Sequence, residues 1–153
     1  DRAYVDMRPW SSQEIARTLE NSHVHFLTRD HGGMIAQIVA DECEILALAT
    51  DPAAQRRGVA TAILAELVSL AHAKGARRIF LDVARNNDHA RAFYAALGFV
   101  RVGTRPGYYT LRDGTRDDAV LLSHAIDAAS EKLRQRNTAA RQKAVDPLAR
   151  LRP

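Results

Sequence analysis

The sequence contains a single cysteine, Cys43, among 153 residues. An internal disulfide is therefore excluded, nothing argues for secretion, and a cytoplasmic setting is the expectation. Long apolar runs are also missing. No stretch approaches the roughly 20 residues that a membrane helix needs, and the start carries no charged, apolar and small-residue signal pattern. Two common phosphate-binding signatures are absent, Gly-x4-Gly-Lys-Ser/Thr and Gly-x-Gly-x-x-Gly. The six histidines are scattered. His23 and His25 would share a strand face, but no third ligand is spaced to complete a metal site, so no metal is expected. The body of the chain also lacks excess charge. Residues 127–153 hold seven Lys/Arg and three acidic side chains, which is the whole net charge of +4; the other 126 residues hold fifteen of each sign. The basicity thus describes a tail, and neither nucleic acid nor a membrane is an expected partner.

What is present fits one ordinary globular domain, with 46% apolar and 26% charged residues. Ser11 with Glu14 three residues on reads as a capping box opening a helix to about Glu20. His25–Thr28 and Met34–Val39 read as a hairpin around the turn Asp30-His31-Gly32-Gly33. Glu44–Thr50 is a nearly continuous apolar strand, as expected of a central one covered on both faces. Val59, Ile63, Leu67 and Leu70, with Leu64, Val68 and Ala71, form a wide apolar stripe on a helix from Gly58 to Lys74, with Gly75 after it. Arg78–Ala84 is a strand, and Ala90–Leu97 a helix capped by Asn87 or Asp88 and ended by Gly98. Phe99–Thr104 and Ala119–Ala125 complete the strands, with Pro106–Tyr109 read as a loop and Asp113-Gly114 as a turn. Cys43 reads as a small core residue. This order predicts a mixed α/β sheet with helices on its faces. Residues 127–145 read as a solvated helix or disorder.

One strand–loop–helix junction stands out, Thr50 to Thr61, with a helix beginning inside Gln55-Arg56-Arg57-Gly58-Val59-Ala60. A helix N-terminus has unpaired N–H groups and a positive partial charge, so it can hold a pyrophosphate where the backbone is accessible. Gly58 and Ala60 keep bulk out of the way, and Arg56 and Arg57 add charge. A helix start that binds nothing fits the same residues.

The stretch Leu81-Asp82-Val83-Ala84-Arg85-Asn86-Asn87, followed by Phe93-Tyr94 and Leu97-Gly98-Phe99, makes the pattern specific. Together with the Gln-x-x-Gly-x-Ala junction upstream, it resembles the GNAT superfamily of N-acetyltransferases. Gly107-Tyr108-Tyr109, Asp113–Ala119 and Pro9-Trp10-Ser11 further resemble the RimI-type ribosomal-protein alanine N-acetyltransferases. The resemblance covers most of residues 7–126 and none of the tail. It implies residues 1–126 as a GNAT domain whose first strand lies upstream of Asp1, and 127–153 as a basic C-terminal tail. The implied fold is α/β, with a mixed, mostly antiparallel sheet, flanking helices, and a cleft where the family's fourth and fifth strands (here Glu44–Thr50 and Arg78–Ala84) splay apart.

The resemblance also implies the chemistry: acetyl-CoA as co-substrate, no metal, and the N-terminal amine of a protein as acceptor, in this family an N-terminal alanine of a ribosomal protein. By position, the backbone of Leu48, Ala49 and Thr50 would pair with the pantetheine arm. Gln55, Arg56, Arg57, Gly58, Val59, Ala60 and Thr61 would hold the pyrophosphate, and Asn87 would bond the coenzyme. Tyr94 takes the place of the general acid, where a phenol can protonate a departing thiolate; it suits packing against Phe93 and Leu97 as well. Asp82 takes the place of the general base, where the family typically has glutamate. A carboxylate in an apolar strand suits that role, as it suits an acid at a strand end paired with Arg85. Pro9, Trp10, Tyr108 and Tyr109 suit the walls of a peptide groove or ordinary surface packing. Three other readings remain: a relative acetylating a small amine, a non-catalytic acyl-CoA-binding module, and a ribosome-associated structural protein using its tail.

Overall fold

The structure, a computed structural model, describes residues 11–51 and 58–126. Pro9, Trp10, Gln55, Arg56, Arg57 and the tail from 127 lie outside the described residues. The elements run α1 (Ser12–Leu19), β1 (Val24–Arg29), β2 (Gly32–Val39), β3 (Glu42–Thr50), α2 (Val59–Ala73), β4 (Arg78–Ala84), α3 (Asp88–Ala96), β5 (Val100–Thr110) and β6 (Arg116–Ala125). The six strands form one sheet in the order β1-β2-β3-β4-β6-β5. Only β3 and β4 are parallel, since α2 crosses between them; the other four pairings are antiparallel.

Local chemistry explains the boundaries. The Ser11 hydroxyl accepts from the Glu14 N–H at 3.1 Å, and the Ser11 N–H donates to the Glu14 carboxylate at 2.7 Å, so the capping box forms as the spacing predicts. Gly75 follows α2 at φ 87°, a conformation that costs glycine little, and its N–H closes on the His72 carbonyl at 3.0 Å. Asn87 caps α3, its side-chain oxygen accepting from the Ala90 N–H at 3.1 Å.

The helix stripe read from the sequence is buried as expected: Ile63, Leu64, Leu67, Val68 and Ala71 of α2 all lie in the core. They join Met34, Ala36 and Ile38 of β2, Cys43 and Ile45 of β3, Ile79, Leu81 and Val83 of β4, and Tyr94 of α3 in one cluster. Cys43 is fully buried, and burial, with the Glu44 charge behind it, pushes its thiol up to about 12. It is a packing residue, and no nucleophile.

Two sequence expectations are corrected. The β1–β2 turn is Asp30-His31 alone, because Arg29 pairs with Gly32 and the strand resumes there. Gly32 is needed inside the strand: a Cβ on it would lie 2.8 Å from Val59 and 3.0 Å from Ile63, so its lack of a side chain lets the start of α2 settle on β2.

Pro106–Tyr109, expected as a loop, lies within β5. Arg105 pairs with Ala119 and Tyr109 with Asp117, so three residues face Asp118 alone, in a wide bulge. The Asp118 carboxylate accepts the Gly107 N–H at 2.8 Å, which supplies the bond the ladder loses there, and Gly107 takes φ 59°. Proline and glycine mark a bulge here, and the strand pairs again on either side of it.

Asp117, buried at 6% exposure, accepts the Asn86 N–H at 3.0 Å and the Asp118 N–H at 2.9 Å. It thereby ties the β4–α3 junction to β6. Removing a buried acceptor that satisfies two backbone donors leaves both unpaired, at about 1–3 kcal/mol. Asp117→Ala is expected to lower the chemical-denaturation midpoint accordingly without changing the denaturant slope.

Candidate active site

The site is a gap in the sheet. β3 and β4 pair only from Glu42↔Arg78 to Ile45↔Leu81, although both strands run on. Beyond that point β3 stays on β2, from Ala47↔Ile35 to Thr50↔Gly32, while β4 stays on β6, from Asp82↔Leu121 to Ala84↔Ala119. The divergence coincides with a bulge. Ala36 faces Ile45 but Ile35 faces Ala47, which leaves Leu46 as an extra residue on β3.

The arm of β3 beyond Ile45 has no strand partner on its β4 side among the described residues. The Asp51 N–H donates to the His31 carbonyl at 2.7 Å, so this is a bonded pair. Antiparallel alternation then makes Gly33/Ala49 the next bonded pair and leaves Gly32/Thr50 and Met34/Leu48 non-bonded. Leu48 and Thr50 therefore turn their backbone groups away from β2, into the space β4 has vacated. Ala49 turns its own toward β2, so of the three residues only two offer backbone to the gap.

At the end of this arm, α2 begins without a side-chain cap. Its N-cap is Gly58 at φ 80°, and a Cβ there would meet nothing within 4 Å among the described residues. The first helical bond is Ala62 N–H to Gly58 O at 2.9 Å. The N–H groups of Val59, Ala60 and Thr61 thus precede the helical ladder, and the first turn has no acidic side chain. Open backbone on the β3 arm and a helix start with no side-chain cap among the described residues fit a long ligand ending in a pyrophosphate. Asn87 is buried, and its side-chain oxygen is committed to the α3 cap; no hydrogen bond of its Nδ2 occurs among the described residues.

The two proton-handling candidates sit on opposite sides of the sheet. Tyr94 is 5% exposed within the core cluster on the α2/α3 side, its ring edge-on to Phe93 at 5.0 Å and Phe99 at 5.3 Å. Asp82 alternates with the core residues Leu81 and Val83 and so faces the other way. Its carboxylate lies 3.8 Å from the Arg105 guanidinium, and its Oδ1 is buried with no hydrogen-bond partner among the described residues. Arg85, the pairing considered from the sequence, instead meets Asp118 at 3.6 Å.

Arg105 was not legible as a site residue. It stands 5.4 Å over the Tyr108 ring, which packs edge-on against Tyr109 at 5.0 Å. One guanidinium thus connects Asp82 to the tyrosine pair. Glu44 joins them: it pairs with Phe80, two residues before Asp82, on the same sheet face. Burial first, then the Asp82 charge, hold its carboxyl above the ordinary carboxylate range, with Arg105 opposing and Glu42 adding to the effect. Among the described residues there is no group of three or more His, Cys, Asp and Glu arranged to hold a metal, and no helix is long and apolar enough to cross a membrane.

A split parallel pair with a ligand arm on one strand, an uncapped helix start beside it and carboxylates across it defines a class, the acyltransferases that bind a thioester carrier in the sheet. The chain belongs to the Acetyltransferase (GNAT) family, whose profile matches residues 4–99. Among its relatives, the [ribosomal protein bS18]-alanine N-acetyltransferase of Escherichia coli is 33% identical over 122 residues, covering 77% of this chain and 82% of the relative. The crystal structure of the ribosomal-protein-S18-alanine N-acetyltransferase from Escherichia coli superposes with a TM-score of 0.70 at 31% identity, covering 78% of this chain and 79% of that one. Arabidopsis thaliana NAA60 in complex with acetyl-CoA shares the fold, at a TM-score of 0.68 and 20% identity over 82% of this chain and 89% of that one.

Proposed function

We propose that the chain transfers the acetyl group of acetyl-CoA to the α-amine of a protein N-terminus, an N-terminal alanine of a ribosomal protein being the acceptor class. The observation that carries this reading is the opening between β3 and β4, with free backbone at Leu48 and Thr50 and an uncapped helix start at Gly58. The likeness to the Escherichia coli enzyme over most of both chains supports the acceptor class.

Acetyl-CoA supplies an activated acyl carbon and a thiolate leaving group. The chain's own residues supply the rest. Leu48 and Thr50 hold the pantetheine amides, and the N–H groups of Val59 to Thr61 hold the pyrophosphate with Gln55, Arg56 and Arg57. A backbone N–H at the β3 bulge serves as the oxyanion donor. Tyr94 gives the departing sulfur a proton from the core side, and the carboxylate face around Asp82 receives the amine from the other. Asn87 fixes the start of α3, and Tyr108 and Tyr109 wall the peptide path, with Pro9 and Trp10 opposite. No covalent enzyme intermediate is involved.

The test is release of free thiol from acetyl-CoA with peptides that differ only in their first residue. Turnover is expected to be fastest with alanine first and to vanish when the peptide α-amine is blocked. Lack of turnover with every peptide, in a protein that binds acetyl-CoA by calorimetry, defeats the transferase reading.

A further inference from the structure

We infer that Arg105 selects the acceptor, donating to the carbonyl oxygen of its first residue while the amine of that residue sits on Asp82. This rests on the transferase reading above and adds what separates a peptide N-terminus from a simple amine.

Topology brings the two side chains together. Asp82 shares a row across the sheet with Leu121 of β6 and Gly103 of β5. Arg105 lies on the row of Ala84 and Ala119. β4 and β5 are two strand spacings apart, about 10 Å. An arginine side chain spans most of that distance, and the other two residues of its row are small. The guanidinium comes to rest 3.8 Å from the Asp82 carboxylate.

Its bonding is incomplete. At 3.8 Å the contact with Asp82 is an ion pair and too long for a hydrogen bond, and the guanidinium makes no hydrogen bond among the described residues. The Tyr108 ring lies against its face at 5.4 Å. A guanidinium carries its N–H donors in one plane, so a ring on the face leaves them at the rim. The Arg105 side chain is half-exposed, and the Asp82 Oδ1 is buried with no hydrogen-bond partner among the described residues.

Asp82 and Arg105 thus present an acceptor beside a donor. The first residue of a peptide carries the complementary pair, an ammonium that donates and its own carbonyl oxygen that accepts, roughly 3 Å apart by bond lengths alone. The two pairs match in kind and in spacing. A small aliphatic amine has the ammonium and no carbonyl, so it meets half of the site.

The surrounding charge favours a carbonyl over an acidic side chain as the ligand of Arg105. Glu44 on β3 interacts with both Asp82 and Arg105, and Glu42 stands on the same strand. Three carboxylates around one guanidinium repel a fourth, whereas a neutral carbonyl oxygen is not repelled.

The experiment measures kcat and KM for wild type, Arg105→Gln and Arg105→Lys. Each protein is given an alanine-first peptide and the same peptide with its first peptide bond replaced by a trans-alkene of equal shape. The alkene keeps the α-amine and loses the carbonyl oxygen. Its altered amine basicity is the same for every protein and cancels in the comparison. The alkene penalty in kcat/KM is expected to be about 10-fold larger in the wild type than in Arg105→Gln, the worth of one charge-assisted hydrogen bond at a half-exposed site. The difference should fall on the peptide KM, with acetyl-CoA affinity by calorimetry unchanged. Arg105→Lys keeps a charge and a donor without the planar fork, and is expected to fall between the two. An equal alkene penalty in all three proteins overturns the inference, and the lysine variant keeps the test in force if the glutamine variant does not fold. A wild type that turns over neither peptide fails the transferase reading and takes this inference with it.

Discussion

Tyr94→Phe is expected to cut kcat by about 10²- to 10⁴-fold, the range for a lost general acid, while acetyl-CoA affinity is kept. The substitution removes one oxygen and little else. The ring retains its edge-on contacts with Phe93 and Phe99, its place in a buried cluster, and its backbone carbonyl, which accepts from the Leu97 and Phe99 N–H groups. The fold should therefore stand, and the loss should fall on the departing sulfur. A thiol of pKa near 8.5 and a phenol near 10 are close enough for the phenol to donate as negative charge develops, whereas a phenyl ring offers nothing. Single-turnover kinetics separate this from slow product release. Turnover equal to wild type would remove Tyr94 from the chemistry and leave it a packing residue.

Ile63→Ala is expected to have the largest effect on the fold itself. Ile63 is fully buried on α2, and a Cβ on Gly32 would come within 3.0 Å of its side chain. Truncation there removes apolar contact and leaves a void, at about 2–5 kcal/mol. In a domain of this size each kcal/mol moves Tm by about 2–4 °C. The consequence reaches function, because Ile63 seats the first turns of α2 against the β2–β3 arm. Acetyl-CoA affinity is expected to fall together with Tm. Calorimetry and thermal melts on one preparation test both, and a melting point within a degree of wild type would contradict the packing described.

The arms of the site differed in how far they could be read in advance. The α2 stripe, the Ser11 cap and the Asn87 cap were legible because they are local: each depends on side chains three or four residues apart. Pro106-Gly107 was misread for the same reason. Proline and glycine signal a turn locally, but the partner that holds them in a strand is Asp118, across the sheet. Arg105 and Glu44 were not legible as site residues. One lies 23 residues after Asp82 and the other 38 before it, and nothing in either segment indicates that they share a face.

The sequence by itself determined most of the element types, the buried face of α2, and the ordered motifs that mark the family, since propensity and periodicity act over a few residues. The sheet decided which backbone groups turn away from their strand partner, which carboxylates become neighbours, and which side of the sheet Asp82 and Tyr94 occupy. Those are consequences of register between strands far apart in the chain. A single-residue bulge at Leu46 changes the facing of the residues that follow it on β3, and no short-range pattern carries that information.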